Sequence, residues 1–442
     1  MVMLYKQKQK TQRTGQQLKL LIDRADYEGN GIARYQDRIT FVSGALPGEQ
    51  VLVKIIEDKP GFLKARTEQV IQPSPLRIEP FCAHIHQCGG CQLQHLSATA
   101  QQQIKQQGID ALLRHQLQLA ELPWQPLLSG AAQGYRRKAR IGVWFDKKTR
   151  NVIVGFRQPA NKALTPIAAC AVLSPVLTPI FAVLKQVVSA LPQPGCITHA
   201  EVIDAQGQPF VVVRHTAALT EAQRQAFVAA WPEATWLGEA SAGELCYWQT
   251  DRASPMYTLA DQQLSLSFAP DDFIQVNAQI NQQMVNQALA WLAPTADETI
   301  LDLYAGMGNF SLALAQRAKL VHGVEGLTKM VQQAQHNAQV NDLHNVHFWQ
   351  ADLHLPWGNA EWNRPLYDKV VLDPARAGAE GAIAQIVALK PAQILYVSCN
   401  AATFARDSKG LLNAGYQLQK IAGMDMFPHT SHFELMALFS RH

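Results

Sequence analysis

At 442 residues the chain is longer than one hydrophobic core usually organises, so two to four domains are expected. Its 48% apolar composition is globular, and no uninterrupted apolar run of about 18 residues is present, which argues against a helical membrane span and for a soluble protein. A net charge of +4 identifies no partner class and excludes little. The first ten residues are basic and too poor in apolar residues for a signal-peptide core, which predicts a cytoplasmic protein. Seven irregularly spaced cysteines then point to metal ligation, catalysis or burial rather than a disulfide framework.

In chain order, Lys6, Lys8, Lys10, Arg13 and Lys19 form a basic arm that precedes the first acid. Leu18, Leu20 and Ile22 alternate as a strand would, Gly29 to Ala33 reads as a turn, and Ile39–Val42, Val51–Ile56 and Thr67–Ile71 read as further short strands. Strands at this spacing predict a small β-barrel, closed off by a linker at Gln72-Pro73-Ser74-Pro75. Residues 94–119 read as helix, and residues 134–257 as mixed strands and helices without a motif. Within that region Arg136, Arg137, Lys138, Arg140, Lys147, Lys148, Arg150 and Arg157 cluster around Tyr135, Trp144 and Phe156, with Asp146 the only acid. Two readings are open: an RNA-binding surface of cations and stacking platforms, or a solvated strand surface.

From Phe273 the pattern changes to alternating helix and strand, as a parallel α/β sheet requires. Ile280, Met284, Ala288, Trp291 and Leu292 share a helical face, and strands follow at Thr299–Leu303, Leu320–Val324, Lys369–Leu372, Ile394–Val397 and near Leu435–Phe439. Asp302-Leu303-Tyr304-Ala305-Gly306-Met307-Gly308 sits where strand hands over to helix, and Glu325 ends the next strand, where an acid can bind both ribose hydroxyls. Ser311 replaces the third glycine of a dinucleotide fingerprint, which favours S-adenosylmethionine; a dinucleotide or an ordinary strand–helix turn are the alternatives. Asp352 and Asp373 fall at later strand ends and face the same crevice, unless they are simply helix caps.

The strand at Ile394–Val397 delivers Cys399 to that edge. A thiolate adding to carbon 6 of uracil makes carbon 5 nucleophilic enough to take a methyl group, and Glu434 is the candidate for removing the carbon 5 proton afterwards. Each could instead serve structure alone, as a small buried thiol and a structural acid. Upstream, Cys82, Cys88 and Cys91 crowd three thiols around Gly89-Gly90, which suggests a metal site, with tetrahedral zinc aided by His84 or His86 as the generic form. Cys196 and Cys246 read as buried.

Asp373-Pro374-Ala375-Arg376-Ala377-Gly378, Tyr396-Val397-Ser398-Cys399-Asn400, and Met426-Phe427-Pro428-His429-Thr430 with Glu434 resemble the signatures of the bacterial RNA 5-methyluridine methyltransferases. Gly29-Asn30-Gly31-Ile32-Ala33 and Ala45-Leu46-Pro47-Gly48-Glu49 resemble the TRAM domain, an RNA-binding barrel of the OB type. The resemblance implies Cys399 as nucleophile, Glu434 as base, and Gln275, Tyr304, Asn309, Glu325, Asp352 and Asp373 around S-adenosylmethionine. It also implies a [4Fe-4S] cluster on Cys82, Cys88, Cys91 and Cys170. Tyr304-Ala305 stands where the family commonly has Phe-Cys, and Ala401 and Phe404 where it has Pro and Leu.

The organisation expected on this resemblance is multidomain α/β: a TRAM-like OB barrel over residues 12–71, a cysteine-cluster (iron-sulfur) segment with a helix over 72–133, a central mixed α/β domain over 134–268, and a Rossmann-like S-adenosylmethionine methyltransferase domain over 269–442. Barrel and four cysteines together resemble the members that act on uridine 1939 of 23S ribosomal RNA; the transfer-RNA enzyme lacks both, and the enzyme acting near position 747 lacks the barrel. The implied partner is 23S ribosomal RNA, with no membrane and no obligate protein partner evident. An RNA-binding protein without catalysis has no use for Cys399 and Glu434 beside a nucleotide crevice. An NAD-linked oxidoreductase leaves the cysteine cluster unexplained.

Overall fold

The computed structural model describes residues 13–159, 161–240, 243–250, 254–364 and 367–441; Lys6, Lys8 and Lys10, and residue 12, lie outside the described residues. The chain divides into two compact units. The first comprises residues up to Phe81 together with Gln92–Ala111 and His429–Ser431, and the second comprises Cys82–Cys91, Leu112–Pro428 and His432 onward.

In the first unit, β1 (Gln17–Leu21), β2 (Arg24–Ala25), β3 (Gly31–Tyr35), β4 (Arg38–Ser43), β5 (Gln50–Asp58) and β6 (Phe62–Gln72) form one sheet in the order β1-β5-β6-β4-β3-β2. The alternation read at Leu18 and Leu20 continues through Val51, Val53 and Ile55, and these residues share a core with Ala33, Val42, Leu63 and Ala65. β1 and β2 stand at opposite ends of the order and make no ladder with each other, so the described ladders alone do not close a barrel. The glycine turn lies at residues 26–30 and β3 begins at Gly31, because Asp26 Oδ1 accepts the backbone N–H groups of Glu28 and Asn30. β6 runs through the whole of Phe62–Gln72, well beyond the stretch read from its sequence. Buried Glu49 receives Arg77 on both oxygens, at 2.6 and 2.7 Å, and the N–H groups of Leu46 and Ser74. Helix α1 (Ala98–Leu117) starts at Ser97, whose hydroxyl accepts the Ala100 N–H, and ends at Gln118, which adopts a positive φ.

The second unit holds two seven-stranded sheets. The central one comprises β7 (Lys138–Asp146), β8 (Asn151–Arg157), β9 (Leu164–Pro166), β10 (Ile197–Ala205), β11 (Gln208–His215), β12 (Thr235–Glu239) and β13 (Leu245–Tyr247), in the order β13-β12-β11-β10-β7-β8-β9. One of its faces packs on α2 (Ile180–Ala190) and α3 (Glu221–Ala230) through Ile141, Val154, Val202, Leu184 and Phe227. A hairpin, β14 (Met256–Leu259) and β15 (Leu264–Ser267), follows.

The C-terminal sheet is introduced by α4 (Ala278–Leu292), capped by the Asn277 side chain, and the five residues expected on its inner face are all buried. Then come β16 (Thr299–Leu303), α5 (Ser311–Ala315), β17 (Leu320–Glu325), α6 (Thr328–Val340), β18 (Val346–Gln350), β19 (Lys369–Leu372), α7 (Ala382–Leu389), β20 (Gln393–Ser398), α8 (Ala401–Asn413), β21 (Gln417–Met424) and β22 (Glu434–Ser440). The order is β18-β17-β16-β19-β20-β22-β21, parallel through β20 and antiparallel at β22 and β21. The chain leaves β16 toward β17 on one side and returns to β19 on the other. Such a switch point opens a crevice at the carboxyl ends of the strands. β18 and β21 are the edge strands of this sheet, half polar in sequence, and their apolar signal is correspondingly short. No helix among the described residues is long and apolar enough to cross a membrane.

Candidate active site

The loop leaving β16 carries three left-handed residues, Tyr304, Gly306 and Gly308, at φ of 62°, 56° and 96°. Only glycine adopts such angles without strain, so Tyr304 is held there by its surroundings. Part of that restraint comes from Glu325 at the end of β17, whose Oε2 accepts the Gly306 N–H and whose Oε1 accepts the Leu327 N–H, both at 3.0 Å. Asp302, buried in β16, accepts the Ser311 hydroxyl on Oδ2, while its Oδ1 is buried without a partner. Burial, against the Ser311 hydrogen bonds and reinforced by Glu325, pushes the Asp302 carboxyl up to about 7. Ser311, which breaks the dinucleotide fingerprint, therefore has a positive role in anchoring this acid.

Cys399 follows β20 and immediately precedes Asn400, the cap of α8, whose side chain accepts the Ala402 and Thr403 N–H groups. Asn400 also donates to the Arg376 carbonyl at 3.1 Å, tying the segment after Asp373 to the nucleophile loop. Burial, then the neighbouring carboxyls of Glu434 and Asp373, push the Cys399 thiol up to about 11, with the Arg376 guanidinium opposing them. Glu434 opens β22 with its Oε2 buried and unpartnered; burial and Asp373 push its carboxyl up to about 8. Burial and Asp302 push Asp373 up to about 7. One thiol and three carboxyls thus share one poorly solvated crevice where few ionise together. Arg376 also reaches His432, Nη2 to Nδ1, at 3.2 Å.

The remaining expected positions are placed unevenly. Tyr304 has its hydroxyl buried without a partner and its ring 6.3 Å from that of His354. Asp352 is exposed and accepts the His354 N–H at 3.0 Å, a turn-capping bond compatible with either reading of it. The Asn309 side chain is already engaged: its Oδ1 accepts Tyr257 and Asn281, and its Nδ2 donates to Asn281. Gln275 is half-buried, and its carbonyl accepts the Arg137 Nε at 2.7 Å. Arg137 in turn lies 4.4 Å over the Tyr257 ring. Arg137 and Tyr257 therefore link Gln275 to Asn309, a support the sequence did not reveal because Arg137 reads there as one more exposed cation. Arg376 and His432 were missed as well, although Arg376 lies within a motif that had been singled out.

The profile of the tRNA (Uracil-5-)-methyltransferase family matches residues 233–352 and 360–442, and that of the TRAM domain matches residues 11–67. The 23S rRNA (uracil(1939)-C(5))-methyltransferase RlmD of Vibrio parahaemolyticus is 40% identical over the whole of both chains. This chain belongs to the RlmD family of RNA uracil-C5 methyltransferases. The Vibrio cholerae RlmD is 43% identical, covering 95% of this chain and 94% of its own. The Pyrococcus abyssi tRNA (uracil-54, C5)-methyltransferase, solved with S-adenosyl-L-homocysteine, superposes with a TM-score of 0.73 at 22% identity, over 96% of this chain and 100% of its own. That likeness establishes a shared fold for a member of the RlmD family.

The second cysteine group lies beside the central sheet. Cys88 and Cys170 pack against its core. Burial raises the Cys88 thiol, and Cys170 and Cys82 add to that shift, which puts both within electrostatic reach of Cys88. Gly90 donates its N–H to Cys88 Sγ at 3.4 Å, and a Cβ on Gly89 would sit 2.9 Å from the Arg157 carbonyl. Among the described residues no three His, Cys, Asp or Glu side chains are arranged to hold a single metal ion. Of the two cysteines read as buried, Cys196 is buried and Cys246 is exposed: Cys246 sits on the edge strand β13, where no further strand covers it.

Proposed function

We propose that the chain methylates carbon 5 of a uridine in 23S ribosomal RNA, at the position of uridine 1939, with Cys399 as nucleophile and Glu434 as base. The observation that carries this reading is the convergence of Cys399, Glu434 and Asp373 at the strand ends beside the Asp302–Gly308 loop. When bound there, S-adenosylmethionine supplies an electrophilic methyl group and a sulfonium charge, with Gln275, Tyr304, Asn309, Glu325, Asp352 and Asp373 as the residues to hold it. Glu325, the acid that ends β17 beside the glycine loop, suits the ribose hydroxyls, and Asp373 is a further acid at the same crevice.

Once its thiol proton has been lost to solvent, the Cys399 sulfur bonds to carbon 6 as a thiolate, moving the ring's double-bond electrons toward the carbonyl as an enolate. Carbon 5 would use that electron pair to take the methyl group, whose former bonding electrons stay on the sulfur that carried it as a neutral thioether. The Glu434 carboxylate then accepts the carbon 5 proton, the double bond re-forms, and the carbon–sulfur bond breaks to return the thiolate. A carboxyl pushed up to about 8 is mostly protonated at neutral pH, so turnover is expected to run through its carboxylate fraction and to rise as pH approaches 8. The target base must leave its stack to expose carbon 6, so it is expected in a loop or remodelled stem.

Cys82, Cys88, Cys91 and Cys170 suit a [4Fe-4S] cluster, because four thiolates on four separate irons must surround a locus rather than converge on one atom. Such a cluster would supply structural cross-linking of the cysteine segment to the central sheet. Anaerobically purified protein is expected to be brown with about four irons per chain; a colourless protein with one zinc overturns this assignment. Action on ribosomal RNA also implies a cytoplasmic protein.

The deciding experiment incubates the protein and Glu434→Gln with 23S ribosomal RNA and radiolabelled S-adenosylmethionine, then maps the label. Wild type is expected to label one uridine. Glu434→Gln is expected to accumulate a denaturation-stable protein–RNA adduct carrying the label, because addition and methyl transfer proceed while elimination stalls. Normal turnover by Glu434→Gln without trapped RNA removes Glu434 as the base.

A further inference from the structure

The basic cluster of residues 136–157 is split by the fold. Arg137 is buried under Tyr257, Arg136 Nε donates to the Lys138 carbonyl, and the Lys138 ammonium donates to the Pro270 and Asp272 carbonyls, so these three act within the protein. What remains is the β7–β8 hairpin. Ala139, Ile141 and Val143 face the core, which turns Arg140, Gly142 and Trp144 outward. Trp144 is 63% exposed. At the adjacent turn Lys147, Lys148 and Arg150 are exposed, and none of them forms an ion pair among the described residues. Asp146 does not neutralise them, because its carboxylate accepts the Lys148 N–H and the Thr149 hydroxyl within the turn. Arg140 is already paired with Glu201.

We infer that Trp144, with Lys147, Lys148 and Arg150, is a second RNA contact, stacking an unpaired base of the substrate outside the target uridine and neutralising the phosphates flanking it. An exposed indole among unpaired cations matches a ligand that is both anionic and aromatic-faced. A protein-docking patch would call for a broad apolar surround, yet the outward neighbours of Trp144 are mixed: Gly142 and Arg140 on β7, half-exposed Ile153 directly across on β8, and the cations of the adjacent turn. Substrate selection would then draw on a surface remote in sequence from Cys399. The inference rests on the methyl-transfer reading above.

The test compares wild type, Trp144→Ala, Trp144→Phe and a triple Lys147→Ala/Lys148→Ala/Arg150→Ala variant on a long 23S transcript and on a short stem-loop holding only the target uridine. For Trp144→Ala the KM on the long transcript is expected to rise about tenfold with kcat unchanged, and Trp144→Phe to recover most of the loss. The triple variant is expected to flatten the salt dependence of binding, lowering the log–log slope by about two. All variants are expected to match wild type on the stem-loop. Wild-type KM and salt slope on the long transcript overturn the inference and leave the methyl-transfer reading standing. An equal loss on the stem-loop also overturns it, by moving Trp144 to the target site. If wild type methylates neither RNA, the methyl-transfer reading itself fails, and filter binding of the long transcript still tests the contact.

Discussion

Glu49 and Glu434 are both buried glutamates, one in the N-terminal unit and one in the C-terminal sheet, and their environments are opposite. Burial alone would raise the Glu49 carboxyl, but Arg77 and the N–H groups of Leu46 and Ser74 outweigh it and hold the group below the usual carboxylate range. Glu434 has no such partners on Oε2 and faces another acid, so burial wins and its carboxyl rises to about 8. A buried carboxylate surrounded by donors fixes structure; one left short of donors is a proton acceptor in waiting. The same contrast separates Arg137, which is buried and hydrogen-bonded, from Lys147 and Lys148, which are exposed and unpaired among the described residues.

The largest effect that tests this contrast belongs to Cys399. Cys399→Ala is expected to reduce methyl transfer by at least about 10⁴-fold while S-adenosylmethionine affinity, measured by calorimetry, changes little, because the thiol acts on the base. Retained turnover breaks the assignment of the crevice. Next is Glu49→Gln, which leaves the half-buried Arg77 without its counter-ion and is expected to destabilise the N-terminal unit by about 1–2 kcal/mol in thermal or urea unfolding. An unchanged unfolding profile would show that the pair adds nothing over its neutral replacement.

The smallest effect is the sharpest. Because the Glu434 carboxyl is raised on folding, the folded state holds this proton more tightly than the unfolded one between about pH 4.5 and pH 8, and stability falls as pH rises through that window. Glu434→Gln is therefore expected to be more stable than wild type at pH 8.5, on the order of 1–2 kcal/mol, and nearly equal to it at pH 4. The Glu49 pair runs the other way: its contribution is full above the ordinary carboxylate pKa and is lost as pH falls below it. Calorimetric melting of both variants at the two pH values checks the pair of signs, and parallel behaviour would remove the distinction between them.

Much of the site was legible because its motifs are local. A strand end followed by glycines, an acid closing the next strand, and a cysteine delivered by a later strand each need only a few consecutive residues, and parallel-sheet topology brings such ends to one edge. The strands β18 and β21 were harder to see because edge strands carry fewer apolar residues. The central sheet gave no motif at all: β7–β8 and β10–β11 are local hairpins, but the pairings that join them into one sheet, β7 with β10 and β11 with β12, cross long separations.

By itself, the sequence determined the chemical inventory: the thiol at 399, the acids at 302, 325, 352, 373 and 434, the four cysteines of the second group, and the order of strands and helices that carries them. Only the tertiary structure decided which of these groups are desolvated and which are satisfied. Asp302 is tuned by Ser311, Asn309 is engaged by Tyr257 and Asn281, and a single run of cations divides into internal struts and a free hairpin surface. The reason is physical. Burial and hydrogen-bond partnership depend on residues brought together from distant parts of the chain, and they set the energy of a charge more strongly than its neighbours in sequence do.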